Sequence, residues 1–248
     1  MIKAEKDLER PVCIGHRGAA GHAPENTLLS IDKALELGAD WIEIDIQLAQ
    51  GQPVVIHNRR LDATTNGSGL VAQQDALRLR ALNAGQGQGQ GVPSLYELIA
   101  HLKRRAVLNI ELKAPGSAVA VLPILNAFLA RGWQPEDFLI SSFDAHELRR
   151  FAEALPAIRC GLLIAGIPLD YAAAAQTLSA WSIHLHIDFV NTALIADAKA
   201  RGLKVFVYTV NHSDDARWLL SLGVDGLFSD YPEQMRAVID SCMPERAA

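Results

Sequence analysis

Short β-rich runs alternate with longer amphipathic stretches from one end of the sequence to the other, with no break in composition. Nine runs read as strands: Val12–His16, Trp41–Leu48, Pro53–His57, Val107–Leu112, Phe138–Ser142, Arg159–Ile164, His184–Asp188, Lys204–Val210 and Gly226–Ser229. Eight stretches read as helices: Thr27–Leu37, Ser94–Arg105, Ala118–Arg131, Ala145–Ala154, Tyr171–Leu178, Asn191–Arg201, Asp214–Leu222 and Tyr231–Cys242. Gly38, Gly132, Gly202 and Gly223 each follow a helical pattern, where a left-handed residue ends a helix. Such alternation requires a parallel sheet with helical crossovers. About eight βα units favour a closed α/β barrel over an open sheet, and 248 residues is ordinary for one. The expectation is a single domain spanning residues 1–248.

Two places depart from a regular barrel. Trp41–Leu48 and Pro53–His57 are too close for a crossover helix, so they form a hairpin and one strand runs antiparallel. Asn58 to Val92 has weak periodicity and ends in Gly85-Gln86-Gly87-Gln88-Gly89-Gln90-Gly91, which reads as a flexible loop or insertion.

Half of the residues are hydrophobic, enough to bury roughly three quarters of the unfolded surface and to exclude disorder as the main state. A net charge of -5 argues against a nucleic-acid partner but not against a small phosphate. Cys13, Cys160 and Cys242 are too scattered for a zinc motif and suit buried thiols in a reducing compartment. Met1 to Arg10 lacks the apolar core of a signal peptide. The longest apolar stretch, Ala118 to Ala130, is interrupted by Pro123 and Asn126 and is too short to span a bilayer. The expected protein is soluble and cytoplasmic, without stable membrane association.

Barrel active sites lie at the C-terminal ends of the strands. Four strand ends carry polar residues that a core would reject. The first ends in His16-Arg17-Gly18. The second carries Glu43 and Asp45 on one face of an otherwise apolar run. Two buried carboxylates side by side repel, and a divalent cation relieves both costs. The third ends in His57-Asn58, and the fourth carries Glu111 and Lys113 on a shared face. With Gln50-Gly51-Gln52 as the hairpin loop, Asp45 faces His57; a two-residue loop would instead place Ile44 there.

Three carboxylates suit one hard ion, Mg²⁺ or Ca²⁺, rather than zinc. The cations Arg17 and Lys113 beside it suit a phosphate. Two histidines on opposite sides suit general acid and base. Phosphodiester cleavage needs this set. Glu25 reads as a brace for the first βα loop, with Asn26 as helix N-cap. Asp225 and Asp230 read as turn residues, and the other six histidines as surface or core residues.

The ordered run His16-Arg17-Gly18, Pro24-Glu25-Asn26-Thr27, Gly38-Ala39-Asp40, Glu43, Asp45 and Val54-Val55-Ile56-His57 resembles the glycerophosphodiester phosphodiesterase family. The likeness continues through Leu61 to Gly69, Glu111-Leu112-Lys113, Ser141-Ser142-Phe143, Val207 to Asn211, Gly223 to Gly226 and Ser229 to Pro232. It implies a distorted TIM barrel, with an insertion after the third strand at residues 58–92. It implies hydrolysis of glycerophosphodiesters to an alcohol and sn-glycerol 3-phosphate. His16 and His57 would be the acid/base pair, Glu43, Asp45 and Glu111 the metal ligands, and Arg17 and Lys113 the phosphate holders. Asn58 stands where the family usually has Asp, and Tyr208 where it often has Trp. The nucleophile would be water or the substrate's own glycerol 2-hydroxyl. An enzyme of the same chemistry acting on lysophospholipids would need an apolar mouth, which the Gly85–Gly91 loop does not supply.

Overall fold

The computed structural model describes residue 8, residues 10–85 and residues 89–242. Among these, nine strands make one sheet: β1 (Val12–Gly15), β2 (Trp41–Ala49), β3 (Gln52–Val55), β4 (Val107–Leu112), β5 (Phe138–Ser142), β6 (Arg159–Ile164), β7 (Ser182–His186), β8 (Lys204–Tyr208) and β9 (Gly226–Ser229). Strand order is β1-β9-β8-β7-β6-β5-β4-β2-β3, and β1 also pairs with β2. Eight parallel strands therefore close into a barrel, with β3 antiparallel on the outer reach of β2. The closure is uneven. β1 pairs with β9 over four residues but with β2 only through Ile14 opposite Trp41 and Gly15 opposite Ile42.

Helices cover the outside: α1 (Leu28–Glu36), α2 (Ala76–Ala81), α3 (Leu95–Leu102), α4 (Ser117–Leu129), α5 (Ala145–Ala154), α6 (Ala173–Thr177), α7 (Thr192–Ala200), α8 (Ser213–Ser221) and α9 (Pro232–Cys242). Local signals start and stop them. Thr27, Asp144 and Asn191 cap backbone N–H groups of α1, α5 and α7, and Ser94 with Glu97 closes a capping box at α3. The four glycines expected at helix ends take φ between 77° and 92°. None of the described helices is long and apolar enough to cross a membrane. Cys13 and Cys160 are buried and Cys242 is exposed; burial, the main cause, pushes both inner thiols up to about 12.

Pleating sorts the strand side chains into two populations. Ile42, Ile44 and Ile46 of β2, with Leu108, Ile110 and Leu112 of β4, join the large core between barrel and helices. Val12, Ile14, Trp41, Val107, Leu139, Phe206 and Phe228 form a second core inside the barrel. Glu43 and Asp45 share the inward face with Trp41, above that apolar floor. A charged pair can sit at this depth only near the open end, where the site lies.

Two expectations are corrected here. The hairpin loop has two residues, Gln50 (φ 46°) and Gly51 (φ 83°), because Ala49 pairs with Gln52 and Ile46 with Val55. Positive φ at both central residues is the type I′ pattern, which matches strand twist better than a three-residue loop. The segment after β3 is also more structured than its weak periodicity suggests. It holds 3₁₀ turns at Leu61–Ala63 and Val71–Gln73 and the helix α2. Leu61, Val71, Leu79 and Val92 pack on Ala49, Val54 and Ile56 of the hairpin. Each large apolar side chain so buried contributes roughly 1.5–3 kcal/mol, enough to order a segment without regular elements. Gln86 to Gln88 of the glycine–glutamine run lie outside the described residues.

Candidate active site

The structure brings all seven sequence-selected residues to one end of the barrel. The parallel register of β2 and β4 sets Asp45 beside Glu111 and Glu43 beside Asn109. Glu43, Asp45 and Glu111 each offer a carboxylate oxygen, and these atoms lie within 4.8 Å of one another. His16 and Arg17 follow β1, whose neighbour is β2. The Arg17 backbone N–H donates to Glu43 Oε2 at 2.8 Å, while its Nε lies 3.3 Å from Asp45 Oδ2. Lys113, just past β4, donates to Glu111 Oε1 at 2.7 Å and lies 3.5 Å from Asp45 Oδ1.

His57 reaches the cluster by a different route from the one the pleat implies. The β2–β3 register, continued, puts Ile44 opposite His57. The ladder, however, ends with the Ile56 N–H on the Asp45 carbonyl, and beyond it the chain leaves the sheet. Gln47 Nε2 then holds the His57 carbonyl at 3.0 Å, and His57 feels the charge of Asp45. Its Nδ1 donates to Asn58 Oδ1 at 3.1 Å, so Asn58 serves as a neutral acceptor.

Crowding sets the charges. Burial, then Asp45 and Glu111, raise Glu43 well above the ordinary carboxylate range. Burial and Asp45 raise Glu111 as well, with Lys113 opposing. Burial disfavours ionised Asp45 too, but Arg17 and Lys113 outweigh it and hold Asp45 low. Burial works against charged Lys113, yet Glu111 and Asp45 raise its affinity for the proton. Burial lowers His57, with Asp45 pulling the other way. Glu43 Oε1 is buried and has no hydrogen-bond partner among the described residues. A buried carboxylate oxygen left unpaired among like charges is the donor set a hard cation requires.

Several contributing residues escape a linear reading. Asp230, expected as a turn residue, follows β9 and accepts from His16 Nδ1 at 2.7 Å. Asn211 supports it, donating from Nδ2 to Asp230 Oδ2 at 2.7 Å and accepting the Asp230 N–H at 3.0 Å. Only closure of the barrel makes β9 a neighbour of β1. The available signal was the position of Asp230 at a strand end, where acidic residues in barrels are functional more often than in other turns. Asn26 is not the cap of α1; Thr27 is. Asn26 takes φ 59° and grips Asp45 with both arms, Nδ2 to Oδ2 at 2.8 Å and Oδ1 to the Asp45 N–H at 3.1 Å. Glu25 is a brace as expected, and what it braces is the Arg17 guanidinium, at 3.0 and 3.1 Å.

The mouth has two unlike sides. Between the β1–α1 connection and the segment after β3 lies a cavity of about 750 Å³, with Glu25, Thr65, Asn66 and Asn83 on its walls. Opposite, over β5 to β8, a chain of rings leads outward from Lys113. Its Nζ sits 5.9 Å from the Phe143 centroid; Phe143 meets Tyr208 at 6.0 Å, Tyr208 meets His186 at 5.4 Å, and His186 meets Phe189 at 5.7 Å. The Tyr208 hydroxyl donates to the Ile164 carbonyl at 3.0 Å.

Residues 16–234 match the glycerophosphoryl diester phosphodiesterase family. A glycerophosphodiester phosphodiesterase of Caldanaerobacter subterraneus is 32% identical, over 91% of this chain and 96% of that one. A phosphodiesterase of Oleispira antarctica, solved with its product sn-glycerol-3-phosphate, superposes with a TM-score of 0.85 at 35% identity, covering 93% of this chain and 97% of that one. A glycerophosphodiester phosphodiesterase of Agrobacterium tumefaciens gives a TM-score of 0.75 at 28% identity, covering 92% and 99%.

Proposed function

The chain belongs to the glycerophosphoryl diester phosphodiesterase family, a family of hydrolases, and from that premise we propose how it works. It hydrolyses small glycerophosphodiesters to an alcohol and sn-glycerol 3-phosphate, in the cytoplasm, without a nucleic-acid partner or a stable hold on a membrane. One domain carries the reaction, with residues 58–92 inserted into it. The observation that carries this reading is the convergence of two imidazoles, two cations and three carboxylates at one barrel end.

What supports a divalent cation is the fit of Glu43, Asp45 and Glu111: each offers a carboxylate oxygen, these lie within 4.8 Å of one another, and Glu43 also has a buried Oε1 with no hydrogen-bond partner among the described residues. These three would hold Mg²⁺ or Ca²⁺, which prefer oxygen donors. When bound, such an ion stabilises negative charge on the phosphoryl oxygens. Arg17 and Lys113 hold the phosphate from either side of Asp45, and Glu25 keeps the guanidinium of Arg17 aimed. His16 acts as general base on the attacking water or on the glycerol 2-hydroxyl. Asp230 fixes its Nδ1, leaves Nε2 as the reacting nitrogen, and stabilises the imidazolium that forms. His57 acts as general acid toward the departing alcohol. Burial weakens its hold on a proton, which makes the protonated ring a stronger donor.

A coupled assay for glycerol 3-phosphate across several head groups tests the reading. We expect turnover that a chelator abolishes and that Glu43→Gln lowers by about 100-fold or more. Full turnover in chelator, with Glu43→Gln unaffected, removes the metal assignment. No glycerol 3-phosphate from any head group overturns the function itself.

A further inference from the structure

Glu43, Asp45 and Gln47 stand at alternate positions of β2 and so share the face that carries the carboxylate cluster. Gln47 is 6% exposed, and an amide buried that deeply needs hydrogen-bond partners to offset its lost hydration. Its Nε2 donates to the His57 carbonyl at 3.0 Å. A carbonyl only accepts, so it is the amide nitrogen of Gln47 that faces it.

This bond spans the point where the β2–β3 ladder stops. The last ladder bond sets the Ile56 N–H on the Asp45 carbonyl at 3.0 Å. The next fixed point is the Arg59 carbonyl, which accepts the Val71 N–H at 3.0 Å. Between the two, the main chain of His57 and Asn58 takes a single hydrogen bond among the described residues, the one from Gln47. The ring of His57 has a second support, Asn58 Oδ1 at 3.1 Å from Nδ1. That bond joins neighbours in sequence, so it orients the ring within its own loop but does not fix the loop to the barrel. The carboxylates have supports of their own. Asn26, Arg17 and Lys113 hold Asp45, and the Arg17 N–H holds Glu43.

We infer that Gln47 is a positioning residue for one proton transfer: it fixes the His57 loop to β2, where the imidazole can protonate the departing alcohol. The inference rests on the phosphodiesterase reading above and on the acid role given there to His57. In the step concerned, the attacking oxygen bonds to phosphorus and gives its proton to His16. The phosphorus–oxygen bond to the alcohol breaks with its electron pair left on that oxygen, and the proton of His57 Nε2 moves onto it. General acid catalysis of this kind contributes about 100- to 10,000-fold, and a misplacement of about 1 Å forfeits about 100-fold. An alkyl alcohol needs the proton to depart; p-nitrophenol leaves readily as its anion and does not.

The test compares kcat/KM for glycerophosphocholine with that for the p-nitrophenyl diester of glycerol 3-phosphate, two substrates that differ only in the leaving group. The ratio is measured in the unsubstituted protein and in Gln47→Met, Gln47→Glu and His57→Ala. Methionine keeps the length of the side chain without a donor, and glutamate keeps its shape but turns the donor into an acceptor. We expect the choline-to-nitrophenyl ratio to fall about tenfold or more in both Gln47 variants, and further in His57→Ala. Nitrophenyl turnover reports that each variant has folded. A ratio unmoved by the Gln47 variants, with His57→Ala lowering it, overturns the positioning role and leaves the phosphodiesterase reading standing. A fall shared equally by both substrates also overturns it, because Gln47 then acts on the fold or through its β2 neighbours rather than through His57. A ratio unmoved by His57→Ala removes the acid role from the underlying reading, and the inference with it. No turnover of either substrate by the unsubstituted protein refutes the function itself.

Discussion

Acid should unfold this barrel partly through a single residue, His184. Its ring is fully buried on the inward face of β7, 5.2 Å from both Phe206 and Phe228. Nε2 meets Ser182 Oγ at 2.9 Å, and Nδ1 has no hydrogen-bond partner among the described residues. Burial pushes its pKa down to about 3 from an ordinary 6.5. The unfolded chain therefore takes up the proton first as pH falls. The stability that neutral His184 contributes is complete above about pH 6.5 and is lost as pH drops toward 3, at about 1.4 kcal/mol per unit. Between pH 7 and about pH 4.5 the loss comes to about 2.5 kcal/mol. His184→Asn removes the titration, although the smaller side chain costs stability at every pH. Urea unfolding, followed by fluorescence of the four tryptophans in chelator, gives the stability of both proteins at both pH values. The difference between the two pH values should be smaller in the variant by about 2.5 kcal/mol, a gap in which the carboxylates common to both proteins cancel. Identical pH dependence in the two proteins would refute the reasoning.

Two further outcomes follow from the geometry. Asp230→Asn keeps a hydrogen-bonding group beside His16 but removes its charge, and should lower kcat by about 10- to 100-fold, the worth of one charge-assisted bond; steady-state kinetics within twofold of the parent would exclude a positioning role. Gly161→Ala places a Cβ 2.5 Å from both His184 Nε2 and Ser182 Oγ, and should destabilise by about 1–3 kcal/mol in the same urea assay; an unchanged midpoint would mean that the barrel interior yields there.

The barrel and most of its catalytic end were legible because each local signal had a single physical meaning. Carboxylates at Glu43, Asp45 and Glu111 interrupt runs of isoleucine and leucine, and nothing in an apolar strand tolerates them except a site. Helix ends were written in Gly38, Gly132, Gly202 and Gly223. The misreadings share a cause, which is that they depended on what a residue meets rather than on what it is. Gln50 takes a positive φ that glycine usually supplies, so the hairpin is one residue tighter than expected. His57 lies beyond the last ladder bond, where alternation stops assigning faces. Leu61, Val71, Leu79 and Val92 are too widely spaced to show a period, yet they converge on the hairpin. Asn26 resembles a cap by type and position, but the chain turns it toward Asp45 instead.

The seam between β9 and β1 has a consequence for the order in which competence is acquired. The three carboxylates belong to β2 and β4, direct neighbours that emerge early during synthesis. His16 and its partner Asp230 are separated by 214 positions and meet only when the last strand docks on the first. All three carboxylates, and His57 with its partners Gln47 and Asn58, are thus synthesised long before the residue that fixes His16. On the role proposed for His16, full turnover waits for the ring of strands to close, and activity becomes a readout of that closure.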